Sequence, residues 1–234
     1  MCGIAGVHGI ESFKGLEDAT AVVKSMVSIL THRGPDAEGV WSDEEHVVLG
    51  HRRLSILDTG SGANQPYRIG DDVLVFNGEV YNYLELRREL EASGAHRFLT
   101  QGDTEVVLAA FCHWGLEKAL QRFNGMFALA WWCAKDRRLT LVRDRLGIKP
   151  LYWHQNDQGT LIFASEVRAL MASGHVPQAL NRDAIADQWM YGTTHAPETI
   201  VAGVNLLEPG NVLIVQDEEL RVAQWWDPAD EALG

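Results

Sequence analysis

Met1-Cys2-Gly3-Ile4-Ala5-Gly6 opens the chain and places a cysteine at its second position, ahead of a short apolar stretch bounded by glycines. This pattern predicts a buried strand from Gly3 to His8. Because small residues follow Cys2, we expect removal of the initiator methionine, which leaves Cys2 as the N-terminal residue. Cys2 would then carry a thiol nucleophile beside a free α-amine, whose ordinary pKa of about 7.7–8.0 lets it accept a proton. The alternative on position alone is a small buried residue that begins a strand.

The composition of the chain fits a globular protein of one large α+β domain or two small domains. Its 234 residues include 32 Asp and Glu against 20 Lys and Arg, a formal net charge of -12. This acidity argues against a nucleic-acid partner, because there is no basic stripe to bind phosphates. The chain has no apolar run of about 18 residues and no signal-peptide pattern, so we expect no membrane segment.

The cysteines and histidines are not spaced as metal ligands or as a disulfide framework. Cys2, Cys112 and Cys133 form no CxxC pair, and the nine histidines form no HExxH or HxxxH motif. No glycine-rich phosphate-binding loop is present either. We therefore expect no metal and no cofactor in this chain, and a cytoplasmic protein with reduced thiols.

The order of predicted elements favours antiparallel sheets layered with helices. Apolar residues at helical intervals predict a helix that begins near Ala19, and another helix is expected after Asp103. Short strands are predicted at Arg53 to Leu57 and at Val73 to Phe76, the second of them ended by a turn at Asn77-Gly78. Because strands and helices come in blocks, a doubly wound parallel fold is disfavoured.

Two groups of polar residues are candidates for chemistry on an acyl substrate. A cysteine nucleophile needs donors for the developing oxyanion, and Asn77 with Gly78 can supply a side-chain amide and a backbone N–H. An ordinary hairpin turn is the alternative for this pair. Arg53 could bind a carboxylate, although Arg52 and Arg53 could also be a solvated basic pair. Asp103 could bind an ammonium group or cap a helix, and Glu79 is either a ligand or an exposed turn residue.

Taken together, these segments resemble the glutaminase domain of class II glutamine amidotransferases, and most closely that of glutamine-hydrolysing asparagine synthetases. The resemblance is collinear over nearly the whole chain. Two positions depart from the family pattern, Gly102 in place of a common Ser and Cys133 in place of a common Asp. The matching motifs are, in chain order, Cys2-Gly3-Ile4-Ala5-Gly6, His32-Arg33-Gly34-Pro35-Asp36, Gly50-His51-Arg52-Arg53-Leu54-Ser55-Ile56-Leu57-Asp58, Gln65-Pro66, Phe76-Asn77-Gly78-Glu79-Val80-Tyr81-Asn82, Asp103-Thr104-Glu105-Val106, Gly125-Met126-Phe127-Ala128, Arg143-Asp144-Arg145-Leu146-Gly147-Ile148-Lys149-Pro150-Leu151-Tyr152 and Ala164-Ser165-Glu166.

The resemblance implies an α+β N-terminal-nucleophile fold, a four-layer αββα sandwich of two antiparallel sheets between helices. It also implies that Cys2 attacks the side-chain amide of glutamine, while Asn77 and Gly78 form the oxyanion hole. Arg53 matches the residue that binds the α-carboxylate, and Asp103, with Glu79 nearby, matches the group that binds the α-amine. The backbone of the following segment matches the wall of the glutamine pocket: Leu54, Ser55, Ile56 and Leu57.

The resemblance further divides the chain into an amidotransferase domain at 1–226 and a linker at 227–234. The linker would lead to an ATP-using synthetase domain that is absent here, so we expect ATP and Mg only there and expect the chain to be part of a longer protein. Expected partners are glutamine and that synthetase domain, and a homodimer is left open. Two alternatives remain. One is an amidotransferase serving another acceptor, and the other is a scaffold that does not hydrolyse glutamine, which a retained Met1 would favour.

Overall fold

The computed structural model describes residues 1–217 and 219–229, and in these ranges strands outnumber helices. The strands are β1 (Gly3–His8), β2 (Ala37–Ser42), β3 (Val47–Arg53), β4 (Tyr67–Ile69), β5 (Asp72–Val80), β6 (Gly125–Cys133), β7 (Arg138–Arg143), β8 (Tyr152–Gln155), β9 (Leu161–Ala164), β10 (Asn205–Leu206), β11 (Asn211–Gln216) and β12 (Glu219–Gln224). The α-helices are α1 (Leu16–Ile29), α2 (Tyr83–Ala92), α3 (Asp103–Trp114), α4 (Leu116–Arg122), α5 (Val167–Ala172) and α6 (Arg182–Tyr191).

The strands form two sheets in which every described pair is antiparallel. The first sheet has the order β10-β8-β9-β1-β3-β2, and the second has the order β12-β11-β7-β6-β5-β4. Within the first sheet, β1 lies between β3 and β9, with Gly3 opposite Arg52 and Ala5 opposite Ala164. The first strand of the chain is therefore an internal strand, and its start is fixed by pairing to β3.

Three apolar clusters hold the sheets and helices in four layers. One face of β1 presents Ala5 and Val7 to α1 and α5, whereas Ile4 on the other face packs between the two sheets. The outer face of the second sheet packs on α2, α3 and α4, with Phe76 and Phe127 among its buried residues. The alternation of inward and outward residues along β1 produces this arrangement. The predicted four-layer αββα sandwich is confirmed.

Two local predictions were wrong, and both concern strands near the future site. β3 ends at Arg53, so that the four residues after it, predicted as part of a strand from Arg53 to Leu57, form a loop. β5 continues through Asn77-Gly78, because these residues pair with Ala128 and Phe127 of β6. Long-range pairing thus overrides the turn preference of the dipeptide.

Two further findings concern the chain as a whole. Within the described ranges, no helix is long and apolar enough to cross a bilayer. The linker predicted at 227–234 lies mostly outside the described residues, because positions from 230 onward are not among them.

Candidate active site

A cavity of about 170 Å³ lies where the start of β1, the end of β3, the second half of β5 and the start of α3 meet. All the predicted site residues line it except Ser55, whose backbone N–H instead donates to Asp36 Oδ2 at 2.8 Å. The fold therefore brings together side chains that are up to about a hundred positions apart in the chain. The predicted residues at the cavity are Cys2, Arg53, Leu54, Ile56, Leu57, Asn77, Gly78, Glu79 and Asp103.

Cys2 is held at the cavity through its sulfur, which contacts Leu54, and through its backbone carbonyl, which contacts Arg33. The Leu54 N–H points at the sulfur with an N–S distance of 3.4 Å, and the thiol lies 3.7 Å from the Leu54 carbonyl oxygen. Arg33 Nε donates to the Cys2 carbonyl at 2.8 Å. Burial raises the pKa of the thiol, and the Leu54 hydrogen bond opposes this shift in part. A base is therefore needed to generate the thiolate.

Arg33 belongs to a charged cluster beneath the start of β1. Its Nη1 atom is 2.9 Å from Glu166 Oε1, which also lies 2.8 Å from His32 Nε2. Partial burial disfavours the Glu166 charge, but hydrogen bonds from Arg33, His32 and Arg168 outweigh it and hold the pKa at about 2. The anionic Glu166 therefore orients Arg33 toward the Cys2 carbonyl.

Asn77 lines the cavity with a side-chain donor that no described residue uses. The residue is 1% exposed, and its Nδ2 atom has no hydrogen-bond partner among the described residues. An unpartnered buried amide costs free energy, about 1–3 kcal/mol. In a cavity beside a cysteine, this donor is available to a ligand oxygen.

The backbone N–H of Gly78 points away from β6, toward the edge of β5 that borders the cavity. Its partner in β6, Phe127, bonds instead to Asp144 through both its N–H (3.1 Å) and its C=O (2.8 Å), so Gly78 and Phe127 are a non-hydrogen-bonded pair. The N–H groups of Phe76 and Val80, two residues to either side, point to Gln65 and Asp103 on the cavity edge. A Cβ at Gly78 would lie 2.2 Å from the Met126 carbonyl oxygen, so only glycine fits.

Arg53 supplies a buried positive charge that is held by neutral groups. Its guanidinium donates to the carbonyl oxygens of Asp58 and Gly60 and to Asn64 Oδ1, the last two at 2.8 and 2.7 Å. Among the residues that the structure describes, no carboxylate forms an ion pair with this group. The side chain is thus oriented at the cavity without direct contact to any described carboxylate. Hydrogen bonds from the Gln101 and Gly60 N–H groups lower the pKa of the nearby Asp58, and the guanidinium charge contributes to this shift. This arrangement suits a carboxylate ligand.

Asp103 and Glu79 supply negative charge to the same cavity. Asp103 is the first residue of α3, and its Oδ2 accepts the Val80 N–H at 3.0 Å. Burial raises the pKa of Asp103 to about 6, with the nearby Glu79 charge adding to the shift against opposing backbone hydrogen bonds. A positively charged ligand group would favour the ionised form. One cavity therefore offers both charges that an amino acid zwitterion needs.

Several cavity residues were not predicted as site residues. Gln65 accepts the Phe76 N–H at 2.6 Å, and Asp58 accepts the N–H groups of Gly60 and Gln101 through its carboxylate. Lys149 is 6% exposed. Each of these three residues belongs to a motif that the chain shares with the amidotransferase family. That membership was the only feature of the sequence that could have indicated a position at the cavity. The full set of additional cavity residues is Met1, Asp58, Ala63, Gln65, Phe76, Gly102, Thr104, Met126 and Lys149.

In the part of the chain that the structure describes, no group of three or more His, Cys, Asp or Glu side chains is placed to hold a metal ion. The cavity instead combines a thiol, an open amide donor and charges of both signs. Cys2, Cys112 and Cys133 are free thiols.

Comparison with known proteins agrees with this geometry. The model of the family described as "Glutamine amidotransferase domain" matches residues 1–226. The chain belongs to this family. The amidotransferase domain is 39% identical over 221 residues to glutamine-hydrolysing asparagine synthetase 1 of Bacillus subtilis (strain 168), covering 93% of this chain and 34% of that protein. It is 37% identical over 237 residues to a putative glutamine-hydrolysing asparagine synthetase of Mycobacterium tuberculosis (H37Rv), covering 94% of this chain and 36% of that protein.

The chain thus spans about a third of the length of the curated relatives it matches. Among solved structures, a glutamine phosphoribosylpyrophosphate amidotransferase from B. subtilis aligns with a TM-score of 0.71 at 20% identity, over 96% of this chain and 49% of that chain. At this identity the likeness concerns the fold, and it agrees with an N-terminal-nucleophile amidotransferase sandwich.

Proposed function

We propose that this domain hydrolyses the side-chain amide of glutamine through a thioester on Cys2, with the roles that the sequence predicted for each residue. The observation that carries the proposal is the buried Asn77 Nδ2, which has no hydrogen-bond partner within 1–217 and 219–229 and belongs to a residue that lines one cavity with Cys2. A donor left open at that place is what an acyl-transfer site requires for its oxyanion.

Substrate binding follows from the charges of the cavity. Arg53 binds the α-carboxylate of glutamine, and Asp103, with Glu79 beside it, binds the α-ammonium. The loop after β3 covers the side chain, since Ile56 and Leu57 line the cavity while remaining largely exposed. These contacts fix the amide carbon near the thiol.

The chemical steps use the free α-amine that Cys2 gains when Met1 is removed. The amine takes the thiol proton, the sulfur attacks the amide carbon, and the oxyanion is stabilised by Asn77 Nδ2 and the Gly78 N–H. The protonated amine then gives its proton to the leaving nitrogen, and ammonia departs from a γ-glutamyl thioester. Water, deprotonated by the same amine, hydrolyses the thioester to glutamate and restores the thiol.

The destination of the ammonia is the second part of the proposal. The named relatives at 37–39% identity are an asparagine synthetase and a putative asparagine synthetase, each about three times as long as this chain. We therefore propose an asparagine synthetase-type acceptor domain, following a linker at 227–234, that binds ATP and Mg. The reduced state that the Cys2 thiol needs fits the cytoplasm. An amidotransferase that serves another acceptor is the second candidate.

Two substitutions test the chemistry on the Met1-processed chain with glutamate release as the assay. Cys2→Ala should abolish hydrolysis, and Asn77→Ala should lower kcat by about a hundredfold or more, because one oxyanion donor is lost. A matched control is Cys112→Ala, which removes an exposed thiol that does not line the cavity and lies near the opposite end of α3 from Asp103. Substantial hydrolysis by Cys2→Ala would disprove the thioester route.

A further inference from the structure

His51 is a buried polar residue between the two sheets that the proposed mechanism does not use. It is 0% exposed, and its Nε2 atom is 3.2 Å from the carbonyl oxygen of Phe76. A carbonyl only accepts, so Nε2 carries the hydrogen and Nδ1 the lone pair. Nδ1 is buried without a partner among the described residues. Burial lowers the pKa of His51 to about 3, so the ring remains a neutral donor at physiological pH.

The hydrogen bond falls at a stretch of β5 that lacks a neighbouring strand on one edge. The pairing of β4 with β5 ends at Tyr67 opposite Leu74. Beyond it, side chains take the place of a strand: Gln65 Oε1 accepts the Phe76 N–H at 2.6 Å, and His51 donates to the Phe76 carbonyl. The peptide groups directly before Asn77 are thus held by side chains.

His51 also belongs to the strand that fixes the nucleophile. In β3 it lies opposite Ile4 of β1, two residues from Cys2, and the next pair joins Arg52 to Gly3. The imidazole therefore links the sheet that carries Cys2 to the strand that carries Asn77 and Gly78. Its surroundings in the inter-sheet core are mostly apolar, where an aliphatic side chain would avoid an unpaired Nδ1.

We propose that His51 is a positioning residue that sets the oxyanion donors of Asn77 and Gly78 in register with Cys2. The inference rests on the proposed function, because it assigns His51 a role in the same reaction. His51 touches neither substrate nor nucleophile and acts only through the Phe76 carbonyl. Its loss should therefore slow attack on the amide without weakening glutamine binding.

The test compares two isopolar replacements of His51 in the Met1-processed chain. His51→Gln places an amide N–H close to the position of Nε2, whereas the shorter His51→Asn cannot reach the Phe76 carbonyl. We expect His51→Asn to lower kcat by about 10- to 100-fold with KM within about twofold of wild type, and His51→Gln to restore most of the rate. Thr140→Val is the control, since Thr140 on β7 is a fully buried polar residue whose hydroxyl has no partner in the described part of the chain.

A second readout separates positioning from general damage to the site. The rate of Cys2 alkylation by iodoacetamide, followed on the N-terminal peptide by mass spectrometry, requires the thiol but no oxyanion hole. It should be unchanged in His51→Asn. Should that variant not fold, His51→Leu provides a donor-less replacement for the same measurements.

A double-mutant cycle with Asn77→Ala completes the test. If His51 acts through the oxyanion donors, its substitution should cost much less in the Asn77→Ala background than in wild type. A wild-type kcat in His51→Asn and His51→Leu, or fully multiplicative losses in the cycle, would overturn the inference. Full activity of Asn77→Ala would instead overturn the oxyanion assignment itself, so the two failures are distinguishable.

Discussion

Substitution of Arg53 should weaken glutamine binding far more than it slows the chemistry. In the structure the guanidinium is 7% exposed and held by neutral oxygens, so its charge is free for a substrate carboxylate. An ionic hydrogen-bonded contact of this kind contributes about 1.5–3 kcal/mol. At 1.4 kcal/mol per factor of ten, Arg53→Ala should raise KM by about 10- to 150-fold.

The neighbouring arginine offers a matched control for this experiment. Arg52 is also buried, but it does not line the cavity; it donates to the Gly34 carbonyl at 2.9 Å and pairs with Glu38. Steady-state glutamate release should show a raised KM for Arg53→Ala and a wild-type KM for Arg52→Ala. Arg53→Lys should recover only part of the affinity, because the compact ammonium cannot keep all the loop contacts.

Arg53 also holds the 58–64 loop, so the experiment must separate loss of carboxylate binding from disorder of this loop. Removing Arg53 takes away the guanidinium donor to the Asp58 carbonyl and one of the two donors to the Gly60 carbonyl, which keeps the Ala63 N–H at 3.3 Å. Some disorder of the 58–64 loop would then lower kcat as well. The assignment of the carboxylate site requires that guanidinium ion, added back to Arg53→Ala, lowers KM. An unchanged KM in Arg53→Ala, or an equal rise in both arginine variants, would place the carboxylate elsewhere.

Three further predictions concern pH, processing and the division of labour. Asp103 binds the ammonium group only when it is ionised, and its pKa is raised to about 6, so KM for glutamine should rise as pH falls through about 6. Asp103→Asn should have a high KM that does not change across that pH range. A wild-type pH profile of KM in this variant would contradict the assignment. Intact-mass measurement of active protein should find Met1 absent, since an amide nitrogen cannot act as the base; full activity with Met1 retained would require another base. Residues 1–234 alone should release ammonia from glutamine and bind no Mg-ATP by calorimetry, and stoichiometric ATP binding would show that the nucleotide chemistry has been misplaced.

The layered fold was predictable because the apolar patterns that indicate strands and helices are local and recur along the chain. The blocks of short strands and helices indicate antiparallel sheets, and Asp103 does begin a helix that runs to Trp114. Asn77-Gly78 shows the limit of such signals. The dipeptide favours a turn in isolation, but pairing with β6 keeps it extended, and this extension is what places its donors on the cavity edge.

The grouping of the predicted site residues at one cavity was predictable from the motifs but not from periodicity, and their roles stay predictions. Four of the predicted residues are far apart in the chain: Cys2, Arg53, Asn77 and Asp103. They reach one cavity only because the ends of β1 and β3, the second half of β5 and the start of α3 meet there. The loop position of Leu54 to Leu57 was missed because the alternating pattern there resembles a strand. The hydrogen bond of His51 was not predictable for a related reason: its partner is a backbone carbonyl on the other sheet, which no sequence pattern encodes.

The internal position of β1 restricts how the protein can be produced and labelled. Met1 already lines the cavity, and from Gly3 onward the strand is enclosed between β3 and β9. An affinity tag or fluorescent fusion ahead of Met1 would therefore project from the substrate cavity and prevent exposure of Cys2. Purification handles belong at the other terminus, and under the proposed mechanism a peptide fused to the N-terminus should give a catalytically silent form.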